Sequence, residues 1–305
     1  MYKLAVELAL LLSPLAFGQS AAAGPPEIVE FTSSNLPLKG YLWKPPGRGP
    51  FPAVLFNHGS GGADAMHTAG MSMGDAAQVL AAVFVKHGYA FFFPCRRGHG
   101  LSADQAEFMQ DALMKQEVSG GIEARNKLQF ALLTGPYLED TLAALAFLKT
   151  VPGVDARWIA VVGHSFGGQL ALLDAERDNT LAAVVAFGAA ANSWEKSREI
   201  RERLLTAVKE ASAPIMLIHA ANDYGTSAGR DLAAELERLH RSHVLRIYPA
   251  SGKTADEGHN AVYNSVSMWE SDVFDFLRRP PGGEPHVPRH FGYLSHGDGR
   301  QSRLQ

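Results

Sequence analysis

The stretch Gly163-His164-Ser165-Phe166-Gly167 sets a serine between two glycines, each two residues away. A serine hydroxyl is a weak nucleophile until a base takes its proton, so the pattern does chemistry only if the hydroxyl is held exposed and a base reaches it. G-x-S-x-G meets the first condition. Its glycines let a strand and a helix approach closely around a strained turn, which exposes the hydroxyl and aims the following backbone N–H groups at one point. The flanks fit that geometry: the apolar run 159–162 is short and β-branched, and Gly167-Gly168 followed by Gln169-Leu170-Ala171-Leu172-Leu173 opens a helix. Ser165 is therefore the candidate nucleophile, and the Phe166 N–H is one candidate oxyanion donor.

Such a serine needs a histidine base and a carboxylate behind it, to fix the tautomer and stabilise the imidazolium. On a parallel sheet these groups belong on loops leaving the carboxyl ends of strands. His259, in Gly258-His259-Asn260 after the run 244–248, meets that condition, as does Asp223, a short link beyond the run 215–218. The order Ser165, Asp223, His259 is that of a hydrolase built on such a sheet. Among the twelve histidines, His240 and His243 fall at the opposite edge, His219 inside or just after a strand, and His164 in the strand–helix junction. Asp256 lies three residues before His259, but proximity in the chain does not aim a carboxylate at the far ring nitrogen. An aspartate before a helix can also serve only as an N-cap, which is the competing role for Asp223. The loop Asn57-His58-Gly59-Ser60-Gly61-Gly62 follows the first buried run and supplies the second oxyanion donor, Ser60 N–H, with Gly61 next. Arg96 and Arg97 leave the next strand at the same edge; they could hold an acidic substrate group, but structural roles are the better expectation.

The elements that must position these residues are legible in the apolar pattern. Residues 27–32 and 38–43 alternate apolar and polar around Ser33-Ser34-Asn35, as an antiparallel hairpin does. From residue 53 the pattern changes to solid apolar runs, 53–56, 90–93, 159–162, 183–187, 215–218 and 244–248, expected of a parallel sheet covered on both faces. Helices are expected over 75–87, 138–150, 167–176, 194–210, 227–241 and 261–277. The long connection 102–137 contains two further helical stretches, 104–116 and 123–133, and a connection of this length reads as a lid insertion over 103–136. Residues 194–210 are a second cap candidate, though their spacing suits a plain covering helix.

With 305 residues, 46% hydrophobic and 19% charged, the chain has the makeup of one globular domain over 25–278. A formal net charge of -3 gives no electrostatic case for nucleic acid. The single cysteine, Cys95, excludes an internal disulfide, and no Cys/His spacing suggests a zinc site, so no metal or organic cofactor is expected. Residues 1–24 read as a secretory signal: Lys3 precedes an apolar run over 4–17, and Ala16-Phe17-Gly18 or Ala21-Ala22-Ala23 offers a cleavage point. Export to the periplasm or the medium follows as an expectation, with no stable membrane span after signal removal. The stretch 279–305, rich in Pro, Gly, His and Arg, is expected to be loosely ordered. Oligomeric state is not legible.

Taken together, Asn57-His58-Gly59, Arg97-Gly98-His99-Gly100, Gly163-His164-Ser165-Phe166-Gly167-Gly168, Asn222-Asp223 and Gly258-His259 resemble the α/β-hydrolase superfamily, in its dienelactone-hydrolase-like and prolyl-oligopeptidase-like esterase branch, over residues 27–277. The resemblance implies the α/β-hydrolase fold, a mostly parallel eight-stranded sheet with helices on both faces. It implies Ser165 as nucleophile, Asp223 as acid, His259 as base, and the Ser60 and Phe166 amides as oxyanion hole. Dienelactone hydrolase carries cysteine at the nucleophile position where this chain has serine, which counts against a dienelactone substrate. Its peptidase relatives carry a propeller over the site, for which this chain has no room. The expectation is a serine hydrolase acting on small-molecule carboxylic esters. The rivals are an amidase or small-peptide hydrolase with the same residues, and a non-catalytic binding protein on the same scaffold.

Overall fold

The computed structural model describes residues 24–61 and 71–278. The expected tail over 279–305, residues 1–23 of the expected signal, and Gly62 of the glycine-rich loop lie outside the described residues.

Eight strands form one sheet: β1 (Glu27–Ser33), β2 (Leu36–Trp43), β3 (Phe51–Asn57), β4 (Ala90–Pro94), β5 (Val154–His164), β6 (Ala183–Phe187), β7 (Ile215–Ala220) and β8 (His243–Tyr248), in the order β1-β2-β4-β3-β5-β6-β7-β8. β2 runs antiparallel to β1 and β4, and the pairs from β4 through β8 are parallel. The hairpin closes tightly because Ser34 and Asn35 both take positive φ, 46° and 68°, the twist a two-residue hairpin turn requires.

Nine helices accompany the strands among the described residues: α1 (Met73–Lys86), α2 (Met109–Thr134), α3 (Pro136–Leu148), α4 (Phe166–Arg177), α5 (Arg198–Glu210), α6 (Ser227–Arg238), α7 (Ala255–His259), α8 (Ala261–Asn264) and α9 (Val266–Leu277). The two-residue period of a strand explains why the runs are apolar throughout. Leu55, Val161 and Leu217 face one layer with α3 to α6, whereas Phe56, Val162 and Ile218 face the other with α1 and α9. In the second layer Phe84 stacks on Phe91 and Phe56 on Phe93, with centroids 5.1 and 5.5 Å apart. Each buried phenylalanine contributes about 2 to 3 kcal/mol.

Several expected boundaries are corrected. The long connection does hold two helical stretches, which meet within α2 at a kink at Gly121 (φ 78°, ψ -178°), but the first begins at Met109 rather than at 104; a six-residue 3-10 segment, Gly100–Gln105, kinked at Ser102, precedes it. Trp194 is not helical: α5 starts only after Ser197, whose hydroxyl caps it by accepting from Ile200 N at 3.3 Å. The Trp194 indole instead donates to Asp231 in α6 at 2.8 Å. The expected helix 261–277 is broken at Ser265, with φ -136°, into α8 and α9. Among the described residues, no helix is long and apolar enough to cross a membrane.

One buried carboxyl group ties the layers together under the site. Asp174 of α4 has no exposed surface, accepts from Thr141 Oγ1 of α3 at 2.7 Å, and accepts from Asn57 Nδ2 at the end of β3 at 2.8 Å. Burial raises its pKa from 3.8 to about 7 against the opposing effect of those two hydrogen bonds. A pKa raised in the folded state means that the native chain binds the proton more tightly than the unfolded chain. The contribution to stability is then full below pH ~4 and is lost as pH rises toward ~7. Asparagine can satisfy the same partners, because the Thr141 hydroxyl also reaches Leu138 O at 3.0 Å and can accept from an amide. The Tm of the wild type relative to Asp174→Asn should therefore fall between pH 4.5 and 7.5 in thermal melts. A constant difference across that range would show that folding does not raise the Asp174 pKa.

Candidate active site

The turn from β5 into α4 is a tightly constrained piece of backbone. Ser165 takes φ 56°, ψ -117°, a region that a residue with a side chain occupies only when its surroundings force it. The force is steric. A Cβ on Gly163 would lie 2.1 Å from Gly167 O, and one on Gly167 would lie 2.0 Å from Asn57 O. Strand, helix and neighbouring loop are thus too close for any side chain at either glycine. Ser165 N donates to Phe187 O of the next strand at 2.8 Å, which fixes the turn from the far side.

Ser165 Oγ lies 2.8 Å from His259 Nε2, and His259 Nδ1 lies 2.6 Å from Asp223 Oδ1. A carboxylate only accepts, so Nδ1 carries the proton and Nε2 is free to accept from the serine. The structure thus brings Ser165, Asp223 and His259 together from the carboxyl ends of β5, β7 and β8. His259 is not in an open loop as expected but closes α7, whose start is fixed by a capping box between Thr254 and Glu257. The sequence signal was present in Thr254-Ala255-Asp256-Glu257. Asp256, the alternative carboxylate, instead accepts from Tyr224 Oη.

Two further histidines hold this arrangement, and their part was not legible. His219, 2% exposed, approaches the other oxygen of the acid, with Nδ1 2.9 Å from Asp223 Oδ2. Tyr224 N donates to Asp223 Oδ1 at 2.7 Å. Burial alone would raise the Asp223 carboxyl, but hydrogen bonds from His219 and His259 hold it well below the usual carboxylate range. His164 Nε2 donates to His259 O at 2.9 Å; burial, reinforced by His259, lowers its pKa to about 3, so it remains neutral. His219 stands four residues before Asp223 at the end of a strand, a spacing with no residue-type signature.

Ser60 and Phe166 both line the cavity that opens over Ser165. Phe166 is the first residue of α4, where an N–H has no acceptor within the helix. The loop carrying Ser60 is gripped from behind by Arg96, 1% exposed, whose Nη1 donates to His58 O at 2.8 Å and Nη2 to Gly59 O at 2.7 Å. The guanidinium also lies 5.7 and 5.6 Å from the ring centroids of Tyr137 and Phe166. Burial lowers its pKa only to about 10, leaving it a cation at neutral pH. Arg97 pairs with Asp140 at 2.6 Å. Neither arginine faces the cavity, so the structural expectation describes both.

The cavity has a volume of about 800 Å³ and is covered on one side by α2, through Met109, Leu113, Ile122 and Gln129. The loop after β6 and the residues around α7 form the other walls. Among the described residues, no group of three or more His, Cys, Asp or Glu side chains could hold a metal ion.

Comparison with known proteins identifies the family and the fold. The model of the family described as "Dienelactone hydrolase family" matches residues 38–279. Quorum-quenching protein AidA of Acinetobacter baumannii (strain MDR-ZJ06) is 28% identical over 158 residues, covering 52% of this chain and 42% of that protein. The α/β-hydrolase fold is shared with Pyrococcus horikoshii acylaminoacyl peptidase, at a TM-score of 0.59 and 20% identity, covering 85% of this chain and 42% of the peptidase. It is also shared with ferulic-acid-bound Est1E from Butyrivibrio proteoclasticus, at a TM-score of 0.57 and 16% identity, covering 82% of this chain and 97% of that one. The matched part of this chain thus spans less than half the length of AidA and of the peptidase.

Removing the second donor to Asp223 tests what His219 does. His219→Phe should lower kcat/KM on an activated ester about tenfold, roughly 1.4 kcal/mol in the barrier, while Ser165 still reacts with a fluorophosphonate. His219→Asn, whose amide nitrogen can stand where Nδ1 stood, should retain activity within about threefold. Equal losses in the two variants would reduce His219 to a packing role.

Proposed function

The chain belongs to the dienelactone hydrolase family, and from that premise we propose that it is a serine esterase, cleaving carboxylic esters through an acyl-enzyme on Ser165. The observation that carries the reading is the unbroken line from Ser165 Oγ through His259 to Asp223, with steps of 2.8 and 2.6 Å. In the first half-reaction Ser165 Oγ attacks the ester carbonyl carbon while its proton passes to His259 Nε2. The carbonyl oxygen, now an oxyanion, is held by the Phe166 and Ser60 N–H groups. Collapse of the intermediate breaks the bond to the alcohol oxygen, which takes the proton from Nε2 and leaves. Water then repeats the sequence on the acyl-enzyme and releases the carboxylic acid, restoring Ser165 and neutral His259.

Asp223 stays ionised throughout and stabilises the imidazolium formed twice in each cycle. Its depressed pKa suits that role, because a carboxylate that resists protonation keeps its charge where the positive ring develops. In this reading α2 acts as the cover of the substrate cavity, its Met109, Leu113 and Ile122 giving apolar contact to part of the substrate. An alkoxide leaves with less help from an acid than an amine does, so an ester is the less demanding substrate for a serine–histidine–aspartate set that can protonate either leaving group.

Purified protein assayed on matched p-nitrophenyl esters and p-nitroanilides decides between ester and amide cleavage; anilides cleaved at comparable kcat/KM would replace the esterase reading by an amidase. A fluorophosphonate should label Ser165 stoichiometrically, and labelling that survives Ser165→Ala would remove it as nucleophile. Asp223→Asn should lower kcat by several orders of magnitude, as a roughly 10⁴-fold loss in the chymotrypsin-type triad illustrates. Asp256→Asn should stay within about tenfold. The reverse ranking would transfer the acid role to Asp256.

A further inference from the structure

The cavity over Ser165 contains polar groups that ester cleavage itself does not use. Seven of the described residues lining it are asparagine or glutamine. Several belong to the wall: Gln110 Nε2 donates to Ser60 O at 3.4 Å, Asn126 Nδ2 to Lys196 O at 3.4 Å, and Asn260 Nδ2 to Asp256 O at 2.9 Å. Gln169 differs from these. It is 3% exposed, lines the cavity, and its buried Oε1 has no hydrogen-bond partner. Ser193, in the loop after β6, lines the same cavity and likewise has a buried Oγ without a partner.

Packing does not call for a glutamine here. Every other residue of α4 from Phe166 to Leu173 is apolar or glycine, so a leucine at 169 would continue the buried face without leaving a polar atom unpaired. A buried carbonyl oxygen with no donor is unfavourable, and a substrate group that supplies one gains the full benefit of satisfying it. The charges around the cavity do not select a charged ligand. Glu117 pairs with Arg125 at 3.1 Å, Asp256 accepts from Tyr224, and Glu257 is used in the cap of α7. Lys196 donates to Asn192 Oδ1 at 2.5 Å, which leaves both signs present and engaged.

We propose that Gln169 and Ser193 form a hydroxyl-recognising subsite, so that the substrates are neutral esters carrying a free hydroxyl group near the ester. A hydroxyl is the neutral group that both donates and accepts, and it suits Gln169 whichever way its amide is turned. Gln169 stands four residues after Ser165 and donates its N–H to Ser165 O at 3.2 Å, a rise of roughly 6 Å along the helix. Gln169 therefore stands one helical turn from the nucleophile, and the test uses hydroxyls close to the ester. This inference rests on the esterase reading given above and narrows its substrate class.

The hydroxyl can lie on either side of the ester, and two matched pairs separate the cases. p-Nitrophenyl 3-hydroxybutyrate and 3-methylbutyrate differ by hydroxyl against methyl on the acyl side. Glycerol 1-monobutyrate and propyl butyrate, followed by pH-stat, differ in hydroxyls on the alcohol side. The wild type should prefer the hydroxylated member of at least one pair by about tenfold or more in kcat/KM. Gln169→Leu and Ser193→Ala should each bring that ratio to within about threefold of unity. Equal rates within both pairs for the wild type overturn the subsite, as does a preference that persists undiminished in Gln169→Leu. If Gln169→Leu does not fold, the wild-type ratios and Ser193→Ala decide in the same way. Failure to cleave any of the four esters and p-nitrophenyl acetate overturns the esterase reading itself, and this proposal with it.

Discussion

The close approach of β5, α4 and the loop after β3 is the constraint from which the rest of the site follows. Two glycines without room for a methyl group let a helix begin almost on top of the strand that precedes it, and the price is a serine held at positive φ. That strain is sustained because the sheet holds the turn on both sides: β5 pairs with β3 and with β6 at its centre, and Ser165 N is tied to Phe187 O. Relaxing Ser165 would mean separating α4 from the sheet, and α4 is buried from Phe166 to Ala175. A strained residue persists where its surroundings over-determine it, and here the surroundings are the hydrophobic core.

The second constraint is electrostatic, and it acts at the far end of the hydrogen-bonded line from Ser165 through His259. Asp223 is a nearly fully buried carboxylate with a different histidine on each oxygen. Burial of a lone carboxylate would favour its neutral form; the hydrogen bonds from His219 and His259 reverse that preference, and Tyr224 N adds a third donor to Oδ1. Distributing the donors over both oxygens also fixes the plane of the carboxylate, so His259 is oriented by a group that cannot itself rotate freely. Gly188, at φ 56°, passes close beneath this pair: a Cβ there would lie 3.1 Å from the His259 ring and 3.2 Å from Asp223 Oδ2.

How much of this is legible in the sequence depends on whether the determinant is local. The turn at Ser165 is legible because its steric requirement falls within five residues, and the central strands are legible because burial on both faces makes their runs apolar. The alternation within residues 27–43 marks the hairpin, but nothing local says that β2 pairs with β4 rather than β3, since that neighbour is chosen by the whole sheet. The break at Ser265 and the late start of α5 are tertiary outcomes: Trp194 is helix-compatible by type and is drawn out of the helix to meet Asp231. His219 is the clearest limit. Its residue type suits a base, a ligand or a core position, and only the fold brings its Nδ1 to Asp223.

The polar groups beneath the site are what allow an apolar core to end at a loop aimed at a ligand. The chain leaves β3 at Asn57, whose side chain is anchored to Asp174 in α4 and, through it, to Thr141 in α3. The next two carbonyls, of His58 and Gly59, are taken by Arg96. Backbone carbonyls drawn toward a buried cation leave the following N–H groups free to face the cavity, since a peptide unit presents its C=O and N–H on opposite sides. His58 can share that space because burial and the neighbouring Arg96 push its pKa well below the ordinary histidine value, keeping it neutral beside the guanidinium. The start of the loop that carries Ser60 is therefore held by fixed charge and hydrogen bonds from below, through the carbonyls of His58 and Gly59, rather than by its own glycine-rich sequence.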